Sequence, residues 1–149
     1  MGVIKPTLTL TSNASSAATD AGPLSVALSL SATDSLSVDQ VESRIINVDG
    51  THGLLLAASN FSATASAGTD GAFVYIKNIT AVGSGRNIMI GVANENLSSD
   101  DETDRLFTLQ PQEFAFFPWD CSQDIYEDAN GATDNALEYW VFVRTGTAY

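Results

Sequence analysis

Apolar residues alternate with small or polar residues along much of the chain, which is the period of a β-strand with one buried face. The clearest case is residues 24–30, where Leu and Val alternate strictly with small residues. Residues 7–11 repeat the pattern over a shorter length. Turn signals separate about eight to ten such segments, and no amphipathic helix longer than about three turns is predicted. The pattern therefore predicts an all-β protein of the sandwich or barrel type.

The most apolar and aromatic stretches lie in the last third of the chain, at residues 114–119 and 137–143. Each aromatic side chain can bury a large apolar area, so we expect both runs to form the centre of the core. Trp140 is expected to be a core residue whose truncation to Ala costs about 3–5 kcal/mol. Residues 120–136, between the two runs, are polar and acidic, and we interpret them as one long loop.

Several segments in the middle of the chain also predict strands. Residues 38–48 fit a helical stripe in part, and we favour a turn followed by a strand at residues 44–48, because Asp49-Gly50 is a typical hairpin signal. Residues 73–79 are rich in β-branched and aromatic side chains, and residues 87–93 follow after a Gly-Ser-Gly break. The two segments are close enough along the chain that we expect them to form a β-hairpin.

The first 22 residues differ in composition from the remainder. Residues 13–22 are rich in Ser and Ala, and the break Gly22-Pro23 follows them. We therefore predict an extended N-terminal arm at residues 1–22 and one β-sandwich domain at residues 23–149, a normal size for a single domain. An extended arm with unpaired backbone groups can add a strand to the sheet of a neighbouring molecule.

The charge of the chain excludes some classes of partner. Eighteen acidic residues against six Lys and Arg give a net charge of −12. Nucleic-acid binding usually requires a basic surface, so we expect no contact with DNA or RNA and none with anionic membranes.

The N-terminus lacks the apolar region of a secretory signal, and no apolar run approaches the roughly 18 residues of a membrane helix. We expect synthesis in the cytoplasm.

The acidic residues are the first candidates for chemistry. Residues 95–138 hold 12 of the 18 acids. Calcium prefers such oxygen ligands, but the spacing of an EF-hand loop is missing, and a solvated acidic loop is the alternative. Glu127, Asp128 and Glu138 could be imagined as the carboxylate pair of a glycoside hydrolase, although nothing in their spacing selects them from the other acids. We expect exposed charges, and no metal.

Two further residues have reactive side chains. His52 is the sole histidine, and its position shortly after Asp49-Gly50 suggests a turn. Cys121 is the sole cysteine, so no intramolecular disulfide can form, and nearby acids disfavour a reactive thiolate. We expect a buried or inert thiol. No catalytic residues and no cofactor are predicted, and the chain is not expected to be an enzyme.

An aromatic ladder marks a candidate interface. Phe114, Phe116, Phe117 and Trp119 favour core packing, but a strand that is apolar on both faces must cover both. Pro118 indicates an edge strand, or the end of a strand. We expect one face to contact a neighbouring subunit, and a carbohydrate platform is the alternative. The residues predicted to lie at interfaces are Thr7, Leu8, Thr9, Leu10, Phe117 and Trp119.

The second half of the chain resembles small β-sandwich virion proteins of tailed bacteriophages. The likeness lies in the series Tyr-Ile-Lys-Asn at residues 75–78, Leu-x-Pro-x-Glu-Phe-x-x-Phe at residues 109–117 and Glu-Tyr-x-x-Phe at residues 138–142. In such proteins a glycine often follows the proline of the second motif, and Gln112 stands there in this chain. The resemblance spans residues 72–143 and implies a jelly-roll-like β-sandwich.

The resemblance also implies a structural function. It favours a capsid decoration (cement) protein that binds the outer surface of the virion, contacts the major capsid protein and stabilises the shell. A homo-oligomer is expected, for instance a trimer at a symmetry axis of the capsid. The alternatives are an accessory tail or neck protein, and a carbohydrate-binding module that attaches the virion to its host.

Overall fold

The computed structural model describes residues 2–4, 7–11, 27–31, 36–61, 71–92, 97, 104–129 and 134–144, with side chains described only between residues 41 and 143. The chain forms two compact units, Met1–Val38 and Asp39–Tyr149. Within the described residues, no helix has the length and hydropathy needed to cross a bilayer.

The described residues of the first unit form paired strands. Strand β1 (Gly2–Ile4) pairs antiparallel with residues 36–38, at the start of β4 (Leu36–Val48). Strand β2 (Thr7–Thr11) pairs antiparallel with β3 (Ala27–Ser31), which confirms the strand predicted at residues 7–11. The predicted boundary between arm and sandwich, at residue 22, lies outside the described residues. Strands β2 and β3 lie on either side of it and pair with each other.

The second unit contains β4 from residue 39 onward and seven further strands. These are β5 (Gly53–Leu56), β6 (Ala72–Asn78), β7 (Ile88–Gly91), β8 (Arg105–Leu109), β9 (Phe114–Trp119), β10 (Ile125–Ala129) and β11 (Asn135–Arg144). Sheet I has the strand order β4-β11-β6-β9, and sheet II has the order β5-β10-β7-β8. A single turn of 3-10 helix, Ala58–Asn60, follows β5. The prediction of an all-β protein is confirmed.

The strand pairs of the second unit are nested along the chain. Its first strand neighbours its last (β4 and β11), the second neighbours the seventh (β5 and β10), the third the sixth (β6 and β9) and the fourth the fifth (β7 and β8). Strands β6 and β7 consequently belong to different sheets, so the β-hairpin predicted from residues 73–93 is wrong. The sequence distance between the two segments was compatible with a hairpin, but the pairing partners of β6 are β9 and β11.

Both sheets contribute side chains to one core, which makes the second unit β-sandwich-like. Val74 and Ile76 of sheet I and Ile88 and Ile90 of sheet II are fully buried in the same cluster. Burying one such side chain stabilises the fold by roughly 1.5–3 kcal/mol. In β6 the buried residues alternate with half-buried ones over the whole strand, as the period of two requires.

The two aromatic runs are divided between the core and the outer surface. Trp119 is buried in the core, whereas Trp140, Phe114 and Phe116 are 38%, 56% and 41% exposed. The prediction that both runs form the core centre is therefore wrong for half of their side chains. Successive residues of a strand point to opposite faces, so only alternate aromatic residues can reach the core.

The region predicted as one acidic loop, residues 120–136, contains strand β10. This strand lies inside sheet II, between β5 and β7. Its sequence, Ile-Tyr-Glu-Asp-Ala, has two adjacent acids that interrupt the apolar alternation from which strands were predicted. The strand is held by backbone pairing on both sides rather than by a clear hydrophobic pattern of its own.

The turn before β9 adopts the backbone conformation that a glycine would favour. Gln112 has a φ of 71°, in the left-handed region. Its backbone N–H donates to the carbonyl of Asn78 (2.8 Å), and its side-chain amide donates to the carbonyl of Thr80 (2.8 Å). These two bonds attach the turn to the end of β6 and so position the start of β9.

Candidate functional site

The outer side of sheet I carries many apolar side chains, which we call the aromatic face. Strand alternation places its members opposite the core residues of the same strands. It consists of Val41 and Ile45 on β4, Trp140 and Phe142 on β11, Phe73 and Tyr75 on β6, and Phe114, Phe116 and Pro118 on β9.

Register brings the aromatic side chains of neighbouring strands together. Tyr75 lies opposite Trp140 on one side and Phe116 on the other. Three pairs of rings are close, Phe73–Phe116 at 5.8 Å, Tyr75–Phe114 at 5.9 Å and Trp140–Phe142 at 6.3 Å between centroids. These contacts hold the rings against one another on the sheet, so the surface is preformed.

The charges on the aromatic face balance. On the same side of sheet I, the charged residues among those described are Lys77 and Glu138, which lie opposite each other on β6 and β11. Glu138 also accepts a hydrogen bond from the indole nitrogen of Trp140 at 3.1 Å. Partial burial, and then the charge of Glu138, raise the pKa of Tyr75 above its usual value. The described part of the face therefore carries no net charge in a chain whose net charge is −12.

The exposed area of the face is large for a protein of this size. The exposed side chains of the face are Val41, Ile45, Phe114, Phe116 and Trp140. A large apolar side chain carries roughly 150–250 Å² of surface, so these five leave on the order of 500 Å² open to solvent. The largest apolar patch on a monomeric protein is commonly about 300–600 Å² and is often functional.

The predicted interface residues occupy other positions. Trp119 is 7% exposed and packs edge-on against Phe61, and its indole nitrogen donates to the carbonyl of Gln123 at 3.0 Å. Phe117 is half-buried and packs edge-on against Phe107. These two aromatic residues belong to the core side of β9, and its exposed side chains are Phe114, Phe116 and Pro118. Thr7, Leu8, Thr9 and Leu10 form most of β2, and their side chains lie outside the described part.

Two of the acids predicted to be exposed are buried instead. Glu127 and Asp128, adjacent on β10, are 8% and 1% exposed. Glu127 shares the inner face of sheet II with Ile125 and Ala129, and Asp128 points to the opposite face. Glu138 lies on the outer side of the other sheet. The three acids considered for glycoside hydrolysis therefore do not converge on one site.

The carboxyl group of Glu127 occupies an unusual environment. Its Oε1 lies directly over Gly53, where a side chain on the neighbouring strand would otherwise be. Within the described residues, its Oε2 has no hydrogen-bond partner. Burial, and then the carboxylates of Asp49 and Asp128, raise the pKa of Glu127 from 4.5 to about 7. A carboxyl group with this pKa exchanges its proton near neutral pH, which the sequence did not indicate.

The structure also places His52 and Cys121, the two other residues with reactive side chains. The His52 ring stacks on Tyr126 with centroids 4.8 Å apart. Cys121 is buried and belongs to the core cluster, as predicted. In the part of the chain that the structure describes, no group of three or more His, Cys, Asp or Glu side chains is placed to hold a metal ion.

The fold and these surfaces define a class of protein, an all-β, β-sandwich-like domain with one preformed apolar face. No protein-family model, curated protein or solved structure matches this chain.

Proposed function

We propose that the chain is a structural protein whose function is association, and that it decorates the outer surface of a bacteriophage capsid. The observation that carries the proposal is the aromatic face, because a preformed apolar surface of this size indicates contact with another protein. The choice of a capsid as the setting rests on the sequence resemblance to virion proteins of tailed phages.

The strand order supports a jelly-roll fold for the second unit. A jelly roll arises when a long antiparallel hairpin, pairing first strand with last and so on inward, is rolled into two sheets. The nested pairs of sheets I and II have this arrangement. Eight-stranded jelly rolls occur in viral capsid proteins and in lectin domains, so the proposed fold suits a virion protein.

Decoration requires little rearrangement of such a protein. A rigid sandwich buries interface area without the cost of ordering its backbone. A protein that binds the assembled shell but not free capsid subunits stabilises the shell by mass action. The net charge of −12 disfavours non-specific association before binding, and keeps the protein away from the packaged genome.

The first unit is the part that we propose to contact the capsid or a neighbouring subunit. Its described residues are short strands, and an extended segment can pair with the edge of another sheet. Thr7, Leu8, Thr9 and Leu10 remain the proposed interface residues there. The N-terminal arm predicted at residues 1–22 is included in this proposed contact region.

The test is binding of the purified protein to capsids that lack it, measured by co-sedimentation and by imaging of the particles. We expect saturable binding and a shell that resists heat better. A chain without residues 1–22 should keep the circular dichroism of a β-protein and bind the particles more weakly. Full-length protein that fails to bind capsids, tail tubes and neck complexes would refute the structural proposal.

A carbohydrate-binding module is the second candidate function. The observation that favours it is the partly exposed Trp140, next to Tyr75 and hydrogen-bonded to Glu138, because sugars bind to aromatic rings flanked by polar groups. Binding to a glycan array that disappears in Trp140→Ala would support this candidate. Phe114 and Phe116 cannot donate hydrogen bonds to a sugar, which favours protein contact on the β9 side.

A further inference from the structure

We infer that the aromatic face is covered by a second copy of this chain, so that two sheets I pack face to face about a two-fold axis. The inference deepens the proposed structural role and uses the same surface. It identifies the molecule that covers the aromatic face, and it implies that a dimer rather than a monomer would bind a capsid.

The charge distribution favours a second copy over an unrelated protein. Two molecules of net charge −12 repel each other at most orientations, but the described part of the aromatic face is neutral. Contacts between different proteins are commonly guided by complementary charges. The interfaces of homodimers are more apolar and contain fewer charges at their centre. In its described part, the aromatic face has many apolar residues and one pair of opposite charges, Lys77 and Glu138, and so resembles a homodimer interface.

The available area is sufficient for a dimer. The five exposed side chains contribute on the order of 500 Å² per molecule, so two copies bury about 1,000 Å² in total, the lower limit for a specific interface. The half-buried rings of Phe73, Tyr75 and Phe142 add to this area. Trp and Tyr are the residues that most often dominate binding energy, and Tyr75 and Trp140 lie side by side on neighbouring strands.

The geometry favours a dimer over the trimer expected at a capsid axis. A two-fold contact uses the same patch on both molecules, whereas a cyclic trimer needs two different patches that fit each other. The other exposed large apolar residues in the described part are Leu54, Val82 and Leu106. Leu54 and Leu106 lie on the two opposite edge strands of sheet II, and Val82 lies in a turn. They form no second patch.

The test is the mass of the full-length protein in solution, without particles, by sedimentation equilibrium over a dilution series. We expect a monomer–dimer equilibrium. Phe116→Glu places a charge inside the proposed interface in both copies and should raise the dissociation constant by at least about a hundredfold. Leu106→Glu is the matched control, since Leu106 is similarly exposed on an edge strand of the other sheet, and it should leave the constant unchanged.

Tryptophan fluorescence gives a second measurement that needs no variant. Trp119 is buried in the monomer, and Trp140 is buried only when the face is covered. Dilution should therefore increase the quenching of one of the two tryptophans by acrylamide. A wild-type protein that stays monomeric with constant quenching, or a trimer, would overturn the inference. Capsid binding is measured in a separate experiment, so the two proposals can fail independently. A monomer that binds particles would refute only the dimer. A dimer that binds no particles would refute only the capsid proposal.

Discussion

The substitution Glu127→Gln replaces a buried carboxyl group by a neutral group of nearly the same shape. Folding raises the pKa of Glu127 from 4.5 to about 7, chiefly by burial and then by the charges of Asp49 and Asp128. A raised pKa means that the folded state holds the proton more tightly than the unfolded state. The resulting stabilisation is complete below pH 4.5 and is lost as the pH rises to about 7.

The magnitude follows from the size of that change in pKa. A rise in pKa of about 2.5 corresponds to about 3 kcal/mol, and screening of the charge reduces this to about 2 kcal/mol. The amide that replaces the carboxyl group carries no charge at any pH, so the variant avoids the loss. In a chain of this size, about 2 kcal/mol corresponds to roughly 6 °C in melting temperature.

Thermal unfolding followed by circular dichroism at about pH 4 and about pH 8.5 measures the effect. We expect similar melting temperatures for the two proteins at the lower pH, and a variant that melts roughly 6 °C higher at the upper pH. Equal melting temperatures at both values would show that the carboxylate of Glu127 is well solvated. A variant less stable at the upper pH would show that the ionised group has a favourable partner, and the argument from burial would be wrong.

Three further predictions concern packing and metal binding. Trp119→Ala should lower the free energy of unfolding by about 3–5 kcal/mol, and Trp140→Ala by about 1 kcal/mol or less in dilute solution, because only the Trp119 ring is buried. Equal losses in chemical denaturation would contradict this assignment. Gly53→Ala should lower the free energy of unfolding by about 1–3 kcal/mol, since its Cβ would overlap Oε1 of Glu127. In a double-mutant cycle, adding Glu127→Ala should recover most of that lost stability. EDTA should change the melting temperature by less than about 1 °C, and a larger decrease would indicate a bound cation.

Strands with a regular alternation were predictable from the sequence, and their partners were not. Strands β6 and β9 were both located from their apolar and aromatic residues. Strand β10 was missed because Glu127 and Asp128 interrupt its pattern, although backbone pairing with β5 and β7 requires no particular side chain. Local sequence does not specify which strands pair when they are distant along the chain, as β6 and β11 are.

Two isolated charged residues, Glu138 on β11 and Lys77 on β6, could have identified the aromatic face from the sequence. By strand alternation, Glu138 points to the same side of the sheet as Trp140 and Phe142, and Lys77 points to the same side as Tyr75. Since a lone charge in a strand normally points to solvent, these two charges mark which aromatic residues face outward. In β9 no charge marks the phase, and the orientation of Phe114 and Phe116 was decidable only from the strand register.

The charge of the chain and the neutrality of the aromatic face together predict how salt affects self-association. Two copies that meet on an apolar face still repel through the remaining acids, so salt should tighten the dimer by screening that repulsion. An interface held by ion pairs would behave in the opposite way, because screening weakens attraction between opposite charges. Sedimentation equilibrium at low and at physiological ionic strength separates the two cases. A dimer that dissociates as salt is added would place the contact on charged surfaces elsewhere in the molecule, and Phe116→Glu would then leave the dimer intact.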